Sequence, residues 1–308
     1  MTGHSLTTPI AFLIFNRPST TERVFDAIRN VRPPKLLVVA DGPRPERPGE
    51  AERCAAARAV IERVDWPCEV LTNYSDFNLG CKKRVSSGLD WVFGQVEEAI
   101  ILEDDCLPHP GFFPFCEELL DRYRNDERVM TISGDNFQFG KRRTEYSYYF
   151  SIYSHIWGWA SWRRAWNHYD VGMKAWPEIR DGRWLSDILG DEQAARFWTG
   201  IFERTYRCEI DTWDYQMTFS LWIQNGLNIL PNINLVSNIG FGEGSSHTGT
   251  ISFVSNMPAG PMDFPLRHPP HVIRDTVSDR FEQRKIYDPN LLQQVKIRLD
   301  LLLGHPRR

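Results

Sequence analysis

The chain has 308 residues, of which 42% are hydrophobic, and its formal net charge is −4. This length and apolar content are sufficient for a large buried core and exclude a disordered chain. The negative net charge and the absence of a basic run argue against a nucleic-acid surface, which needs concentrated Lys and Arg. No stretch of about 18 apolar residues is present, and residues 1–8 do not resemble a secretory signal, so we expect a cytoplasmic protein.

The N-terminal part alternates strand and helix patterns. Apolar runs at 10–15, 35–40, 68–72 and 99–102 predict strands, and amphipathic stretches at 19–31, 49–64 and 82–93 predict the helices between them. Ser19 and Glu22 form a capping box that predicts the start of the first helix. A further helix at 112–123 and a strand at 129–133 follow. Successive units of this kind predict an α/β fold with a mostly parallel, doubly wound sheet.

The fourth apolar run ends in three consecutive acids, Glu103, Asp104 and Asp105. In an open α/β sheet, ligands bind beyond the carboxyl ends of the strands, so these acids are expected where a ligand would lie. Carboxylate oxygens suit Mg²⁺ or Mn²⁺, and a divalent ion there would neutralise a departing diphosphate. The same acids also fit an ordinary strand-to-helix turn in which they cap the next helix.

Other polar residues follow the same predicted strands. Arg17 comes after the first strand, Asp41 after the second, and Asn78 lies in the loop before the helix that contains Lys82. Because parallel strands end at one edge of a sheet, we expect Arg17, Asp41 and the acids to lie along one rim. Lys82 and its basic neighbours could support phosphates there, although such a run is also typical of a solvated helix face.

The second half of the chain is rich in aromatic residues. Such density is typical of the core of a smaller subdomain, and it is also typical of rings that stack on the apolar face of a sugar. Trp157 and Trp159 flank Gly158, and glycine allows a backbone and a substrate to approach closely. These two tryptophans are therefore the ones expected to line an acceptor or a sugar.

Asp214 follows Trp213 and precedes a helix-like run through Met217 and Leu221. An acid at a helix start is favoured by capping and by the helix dipole. The alternative role is that of a general base, which takes the proton from an acceptor hydroxyl within hydrogen-bond reach. Asp211 is the second candidate for that role.

Two segments near the C-terminus carry further hypotheses. The glycine-rich stretch 242–247 ends in His247 and is interpreted either as a flap over a phosphate, with His247 as an additional metal ligand, or as an ordinary surface loop. Residues 288–303 predict an amphipathic helix. This helix is expected to dock on its own domain; the alternative is contact with a second subunit or with the inner face of a membrane that carries a lipid-linked acceptor.

Several of these segments, in the same order over roughly residues 9–249, resemble the animal N-acetylglucosaminyltransferase I family. That family has the GT-A glycosyltransferase fold, depends on manganese and UDP-N-acetylglucosamine, and inverts the anomeric centre. The chain also resembles bacterial family 2-like glycosyltransferases. The segments that carry the first resemblance are 10–41, 91–95, 103–105 with 110–113, 133–136, 213–214 and 242–247.

The resemblance implies roles for the residues of the rim. Asp105 would contact the metal directly, and Asp104 and Glu103 would contact the ribose and the donor sugar. Arg17 and Asp41 would hold the nucleotide base. These implied roles agree with the position of the same residues at predicted strand ends.

The resemblance also implies that Asp214 deprotonates the acceptor. Two departures concern the neighbouring positions: a histidine that meets uracil in the animal enzymes falls at about Gly88, and Tyr215 replaces one of two adjacent acids. The membrane anchor and stem of those enzymes have no counterpart in this sequence. The identity of the base and of the acceptor is therefore not carried over.

The sequence thus predicts a metal-dependent, inverting glycosyltransferase of hexosyl or N-acetylhexosaminyl type. Its donor would be a nucleotide diphosphosugar, expected to be a UDP-sugar, with Mn²⁺ or Mg²⁺ as cofactor and a glycan or lipid-linked glycan as acceptor. The expected division is a nucleotide-sugar-binding subdomain at 1–108, an acceptor-binding and catalytic subdomain at 109–255, and a C-terminal extension at 256–308. A homodimer through that extension is a further expectation.

Two other functions stay open at this point. A sugar nucleotidyltransferase would use a similar sheet and metal, but it usually carries a G-x-G-T-R segment where this chain has Asn-Arg-Pro-Ser at 16–19. A non-catalytic, carbohydrate-binding relative would have almost the same sequence. Related folds host unrelated activities, so the fold alone does not decide between them.

Overall fold

The computed structural model describes residues 6–240, 254 and 256–288. The strands are β1 (Ile10–Ile14), β2 (Lys35–Ala40), β3 (Glu69–Tyr74), β4 (Glu98–Glu103), β5 (Cys106–Pro108), β6 (Val129–Ser133), β7 (Tyr148–Ser151), β8 (Trp159–Trp162), β9 (Leu227–Pro231) and β10 (Val236–Asn238).

The helices are α1 (Pro18–Val31), α2 (Glu50–Ala59), α3 (Cys81–Gln95), α4 (Phe112–Tyr123), α5 (Arg163–Trp166), α6 (Trp176–Asp181), α7 (Leu185–Leu189), α8 (Glu192–Tyr206), α9 (Asp214–Trp222) and α10 (Thr276–Glu282). A 3₁₀ turn at Val60–Arg63 continues α2, and a π-helical turn at Gln283–Tyr287 continues α10. The strands and helices predicted up to residue 133 have the observed bounds to within two residues.

Eight strands form one sheet in the order β3-β2-β1-β4-β8-β6-β9-β7. Six of them run in the same direction, and β7 and β8 run opposite to the rest. The predicted α/β class with a mostly parallel sheet is therefore confirmed. The sheet continues past residue 108, so the two subdomains expected on either side of that position share it. A second, two-stranded sheet pairs β10 with β5.

Helices cover both faces of the large sheet. One face packs against α1 and α4, and the other packs against α3 and α9. This double coverage explains why β1 and β2 are continuous apolar runs, since every side chain of a strand buried on both faces meets protein. A third core lies among α6 to α9 and contains Trp176, Trp198 and Trp222, so much of the aromatic content of the second half is core.

Helix α1 begins one residue before the predicted cap. Pro18 is the first helical residue and Arg17 occupies the N-cap position without a side-chain hydrogen bond from the cap. The prediction of a capping box at Ser19 and Glu22 was wrong, because proline at the first helical position has a preset φ and needs no partner for an N–H group. The hydroxyl of Thr21 donates instead to the Arg17 carbonyl, at 2.8 Å.

The described part of the C-terminal extension packs against the edge strand β7 through buried polar groups. Arg274 forms an isolated bridge to that strand. Ser151 donates to Asp279 at 2.6 Å, and His155 Nε2 lies 3.0 Å from Glu282 Oε2. Burial raises the pKa of Asp279 to about 6. Residues 256–288 are therefore joined to the sheet by specific contacts; the helix predicted over 288–303 lies outside the described residues from position 289 onward.

Within residues 6–240, 254 and 256–288, no helix has both the length and the apolar character needed to cross a membrane.

Helix α3 offers a test of how closely it packs on β2. A Cβ at Gly88 would lie 2.5 Å from Cγ1 of the buried Val39, whereas a Cβ at Gly94, in the same helix, would meet no atom within 4 Å. We expect Gly88→Ala to lower the free energy of unfolding by about 1–3 kcal/mol through overpacking. Gly94→Ala is the matched control and should raise it by up to about 1 kcal/mol through helix propensity. Urea unfolding measures both; equal stabilities would contradict the packing of α3 on β2.

Candidate active site at the carboxyl ends of the strands

The carboxyl ends of β1, β2 and β4 form one rim, because these strands are parallel neighbours in the sheet. The register sets Leu13 opposite Glu103 and Ile14 opposite Ala40. Arg17 and Asp41 follow β1 and β2, so the structure brings both residues to the edge at which the acids lie. The acidic triplet, defined as Glu103, Asp104 and Asp105, occupies the end of β4 and the turn into β5.

Neighbouring groups of β1 and β10 contact the acidic triplet. The Phe15 N–H donates to Asp104 Oδ2 at 2.9 Å. Arg17 Nη1 forms an ion pair with Asp105 Oδ2 and lies 3.9 Å from Asp104 Oδ1. The Ile239 N–H donates to the Asp105 carbonyl oxygen at 2.8 Å, which brings the chain after β10 against the triplet.

Negative charge in this triplet is only partly balanced. Burial, with added repulsion from the other two acids and from Asp214, raises the pKa of Glu103 to about 8. Burial and the charge of Asp105 raise the pKa of Asp104 to about 7, against the opposing effect of Arg17. Carboxyls with pKa values this strongly perturbed are typical of functional sites. A bound cation would lower both pKa values by supplying the missing positive charge.

The triplet fits a divalent ion held partly by a substrate. In the described part of the chain, no group of three or more His, Cys, Asp and Glu side chains is arranged as a complete metal site. Mg²⁺ is commonly held by one or two carboxylates together with substrate phosphates, and Asp105 with Asp104 offers such a pair. The hard oxygen donors and the uncompensated charge both suit Mg²⁺ or Mn²⁺.

Asp41 is surrounded by donors from its own protein. Oδ1 accepts from the N–H groups of Gly42 and Leu79, each at 2.9 Å, and Oδ2 accepts from Asn78 Nδ2 at 3.0 Å and from the Gly80 N–H at 3.2 Å. A carboxylate offers about four acceptor positions, so these bonds use its capacity. A base could bind Asp41 only by displacing one of them. In this geometry Asp41 and Asn78 together hold the loop that starts α3.

Glu50 is a residue of the rim that sequence reasoning missed. Its side chain is 1% exposed and accepts from Asn16 Nδ2 at 2.8 Å and from Arg44 Nη2 at 2.6 Å. Arg44 holds the pKa of Glu50 at about 2, and the Arg44 guanidinium lies over the Phe15 ring, 5.7 Å from its centroid. Glu50 thereby fixes the loops after β1 and β2. An acid in the first turn of a helix is so common that no sequence signal pointed to this role.

Asp214 lies close enough to the triplet for its charge to raise the pKa of Glu103. It is the first residue of α9, after the N-cap Trp213, and it accepts a hydrogen bond from the Thr212 hydroxyl. Burial and the charges of Glu103, Asp214 and Asp211 raise the pKa of Cys81 to about 12. The structure therefore gathers Asp214, Asp211 and Glu103 around the start of α3, although they come from distant parts of the chain.

The two tryptophans expected to line an acceptor have different environments. Trp157 is half-buried, and its backbone N–H donates to Asp135 Oδ2 at 3.1 Å. Trp159 is 1% exposed and stacks on Trp213 with ring centroids 5.9 Å apart, so its ring belongs to the core. Only Trp157 of this pair presents side-chain surface.

Two further residues of the sequence analysis, Lys82 and Gly88, lie on α3. Lys82 lies in the first turn of α3 with its Nζ 3.8 Å from Cys208 Sγ, and it makes no ion pair within the described residues. Gly88 lies in the middle of α3 against Val39, so a side chain at this position would enter the core rather than reach a base.

The glycine-rich segment begins next to the acidic triplet. A Cβ at Gly240 would lie 2.0 Å from Asp105 Oδ2 and 2.7 Å from Arg17 Nη1, so the backbone approaches both side chains closely and a larger residue would require one of them to move. His247 and the rest of the stretch 242–247 lie outside the described residues, and the role of His247 stays a prediction.

No protein-family model and no curated protein matches this sequence. Similar solved structures include a mannosyltransferase, PcManGT, from Pyrobaculum calidifontis in complex with GDP-Man and Mn²⁺. It is 12% identical over 71% of this chain and 70% of that chain, with a TM-score of 0.38.

A UDP-glucose pyrophosphorylase complexed with UDP-glucose is 11% identical over 49% of this chain and 64% of that chain, with a TM-score of 0.28. A 4-diphosphocytidyl-2C-methyl-D-erythritol synthase from Anaerococcus prevotii is 10% identical over 72% of this chain and 87% of that chain, with a TM-score of 0.30. These TM-scores are too low for the likenesses to assign a function.

The raised pKa values predict how stability depends on pH. Folded Glu103 and Asp104 bind protons more tightly than in the unfolded chain, where they titrate near 4.5 and 3.8. Their contribution to stability is therefore fully present below about pH 4 and is lost as the pH rises through 7 to 8. We expect Glu103→Gln and Asp104→Asn each to reduce this loss between pH 5 and 8, measured by urea unfolding.

Glu98→Gln is the matched control for this experiment. Glu98 lies at the opposite end of β4 and pairs with Arg124 at 2.8 Å. This variant should keep the pH slope of the wild type over the same range. A wild-type stability that does not fall between pH 5 and 8 would contradict the uncompensated charge of the triplet.

Proposed function

We propose that this chain is a glycosyltransferase of GT-A type that moves a sugar from a nucleoside diphosphate sugar to an acceptor hydroxyl. The observation that carries the proposal is the buried acidic triplet at the end of β4, with Arg17 on one side and Asp214 nearby. The order of sequence segments shared with the N-acetylglucosaminyltransferase I family supports the same function. The position beyond the carboxyl ends of parallel strands is where α/β folds bind nucleotides.

The donor would bind with its diphosphate at Arg17 and the acidic triplet. When bound, a divalent cation held by Asp105 and Asp104 would neutralise the diphosphate as it leaves the sugar. Arg17 adds a positive charge that can contact the diphosphate, and Lys82 in the first turn of α3 could reach the outer phosphate oxygens. The loops held by Glu50 would then flank the nucleoside, since they follow β1 and β2.

Asp214 would act as the general base. A carboxylate that deprotonates the acceptor on the face opposite the departing diphosphate gives a single displacement, and a single displacement inverts the anomeric centre. Asp214 is half-buried, and its charge helps to raise the pKa of Cys81 and of Glu103, so its carboxylate lies close to the acidic triplet. Trp157, which is half-buried, is the residue proposed to contact the acceptor or the transferred sugar.

The first test is a thermal-shift screen of UDP-, GDP-, CMP- and dTDP-sugars with and without Mn²⁺. A ligand that binds only the folded protein raises its apparent stability, by about 2.7 kcal/mol at a hundredfold excess over Kd. We expect one nucleotide class to stabilise the wild type in a Mn²⁺-dependent manner and Asp105→Asn to lose that dependence while remaining folded. Failure of every nucleotide sugar would refute the proposal. Release of pyrophosphate from a nucleoside triphosphate and a sugar phosphate would assign a nucleotidyltransferase instead.

The second test separates the general base from its neighbour. Asp214→Asn should bind the donor nucleotide as the wild type does but transfer sugar at least about a hundredfold more slowly, the lower range for loss of general-base catalysis. Asp211→Asn is the matched control, since Asp211 lies near the same end of α3, with Oδ2 3.6 Å from the position of a Cβ on Gly80. Normal transfer by Asp214→Asn with slow transfer by Asp211→Asn would move the role to Asp211.

A further inference from the structure

Arg17 and a divalent cation compete for the same carboxylate. The ion pair of Arg17 Nη1 with Asp105 Oδ2 is largely buried, with 19% of the arginine side chain and 15% of the aspartate side chain exposed. The same Nη1 also lies 3.9 Å from Asp104 Oδ1. Asp105 with Asp104 is the pair that suits a divalent ion, so the guanidinium stands at the position that such an ion needs.

Hydrogen bonds hold the backbone of Arg17 in place, and its side chain extends to the acidic triplet. Pro18 sets the start of α1, and the Arg17 carbonyl accepts from the Thr21 N–H at 3.0 Å and from the Thr21 hydroxyl at 2.8 Å. Gly240 lies against the ends of both side chains, since a Cβ at this position would lie 2.7 Å from Arg17 Nη1 and 2.0 Å from Asp105 Oδ2. Removal of the guanidinium from Asp105 therefore requires rotation of the side chain and not movement of the loop.

A diphosphate offers Arg17 a second anionic partner. Guanidinium groups bind phosphate oxygens as well as carboxylates, so Arg17 can exchange Asp105 for the donor without a net loss of ion pairs. We propose that this exchange couples the two ligands: the nucleotide diphosphate draws Arg17 from Asp105, and Asp105 then becomes available to the divalent cation. The inference rests on the proposed function and adds a rule for the binding of its donor and cation.

Coupling of this kind has a required symmetry. If the nucleotide increases the affinity for the cation by some factor, the cation increases the affinity for the nucleotide by the same factor. Direct contact between a cation and a diphosphate also contributes to coupling, and it does so with or without Arg17. The contribution of Arg17 is therefore the ratio of the coupling factor of the wild type to that of a variant that lacks the guanidinium.

The experiment measures Mn²⁺ binding by the electron paramagnetic resonance signal of the free ion, without nucleotide and with saturating UDP or GDP. Without nucleotide, we expect Arg17→Met and Arg17→Gln to bind Mn²⁺ at least about fivefold more tightly than the wild type, the lower range of typical coupling. Their coupling factors should be smaller than that of the wild type by a similar ratio. Circular dichroism at the binding temperature checks that both variants are folded.

Lys35→Met is the matched control, because it removes one positive charge at the opposite end of β2, where Lys35 pairs with Glu69 at 2.9 Å. It should leave the coupling factor unchanged. Nucleotide binding with equal coupling factors in the wild type and both Arg17 variants would overturn the inference alone. A wild type that binds neither nucleotide would overturn the proposed function and the coupling together, so the two failures are distinguishable.

Discussion

The structure depends on one electrostatic constraint, which is the concentration of three carboxyl groups at the end of a strand buried on both faces. Burial of like charges is costly, and the Arg17 guanidinium and the Phe15 N–H offset part of this cost. The parallel pairing of β1 with β4 delivers both partners, because it sets Leu13 opposite Glu103 and leads the chain directly into Phe15 and Arg17. The remaining negative charge is what a ligand can use.

The other acids of the rim differ in this respect. Asp41 and Glu50 are as deeply buried as the triplet, but each has several donors from its own protein. Arg44 lowers the pKa of Glu50, whereas burial raises the pKa of Asp41 against the effect of its hydrogen bonds. Carboxylates with such partners stabilise loops. Glu103 accepts no such hydrogen bond from the described residues and is poised for a cation or a proton. The distinction lies in hydrogen-bond partners, since burial raises the pKa of Asp41 as well as that of Glu103.

This distinction also marks how far the sequence could predict the site. Apolar runs placed the strands, and the rule that ligands bind beyond their carboxyl ends placed Arg17 and the triplet on one edge. The partners of Asp41 and Glu50 come from loops whose paths no local pattern encodes. Ser19 and Glu22 matched a capping box, but the adjacent Pro18 determined where the helix began. Local patterns thus predicted the strands, the helices and their ends. Long-range contacts decided which acids are available to a ligand and which ones hold a loop in place.

The position of Asp214 relative to the triplet follows from a contact of aromatic rings in the core. Trp159 pairs in register with Ile101 of β4, two residues before Glu103, and its ring stacks on Trp213, the residue before Asp214. The sheet therefore contacts the start of α9 through a buried tryptophan pair, next to the packing of Met217 and Leu221 on the same face. Trp159, expected from the sequence to line a ligand, instead sets the separation between the acids of β4 and the carboxylate of α9. A side chain that touches no substrate can in this way determine whether a general base is within reach of its acceptor.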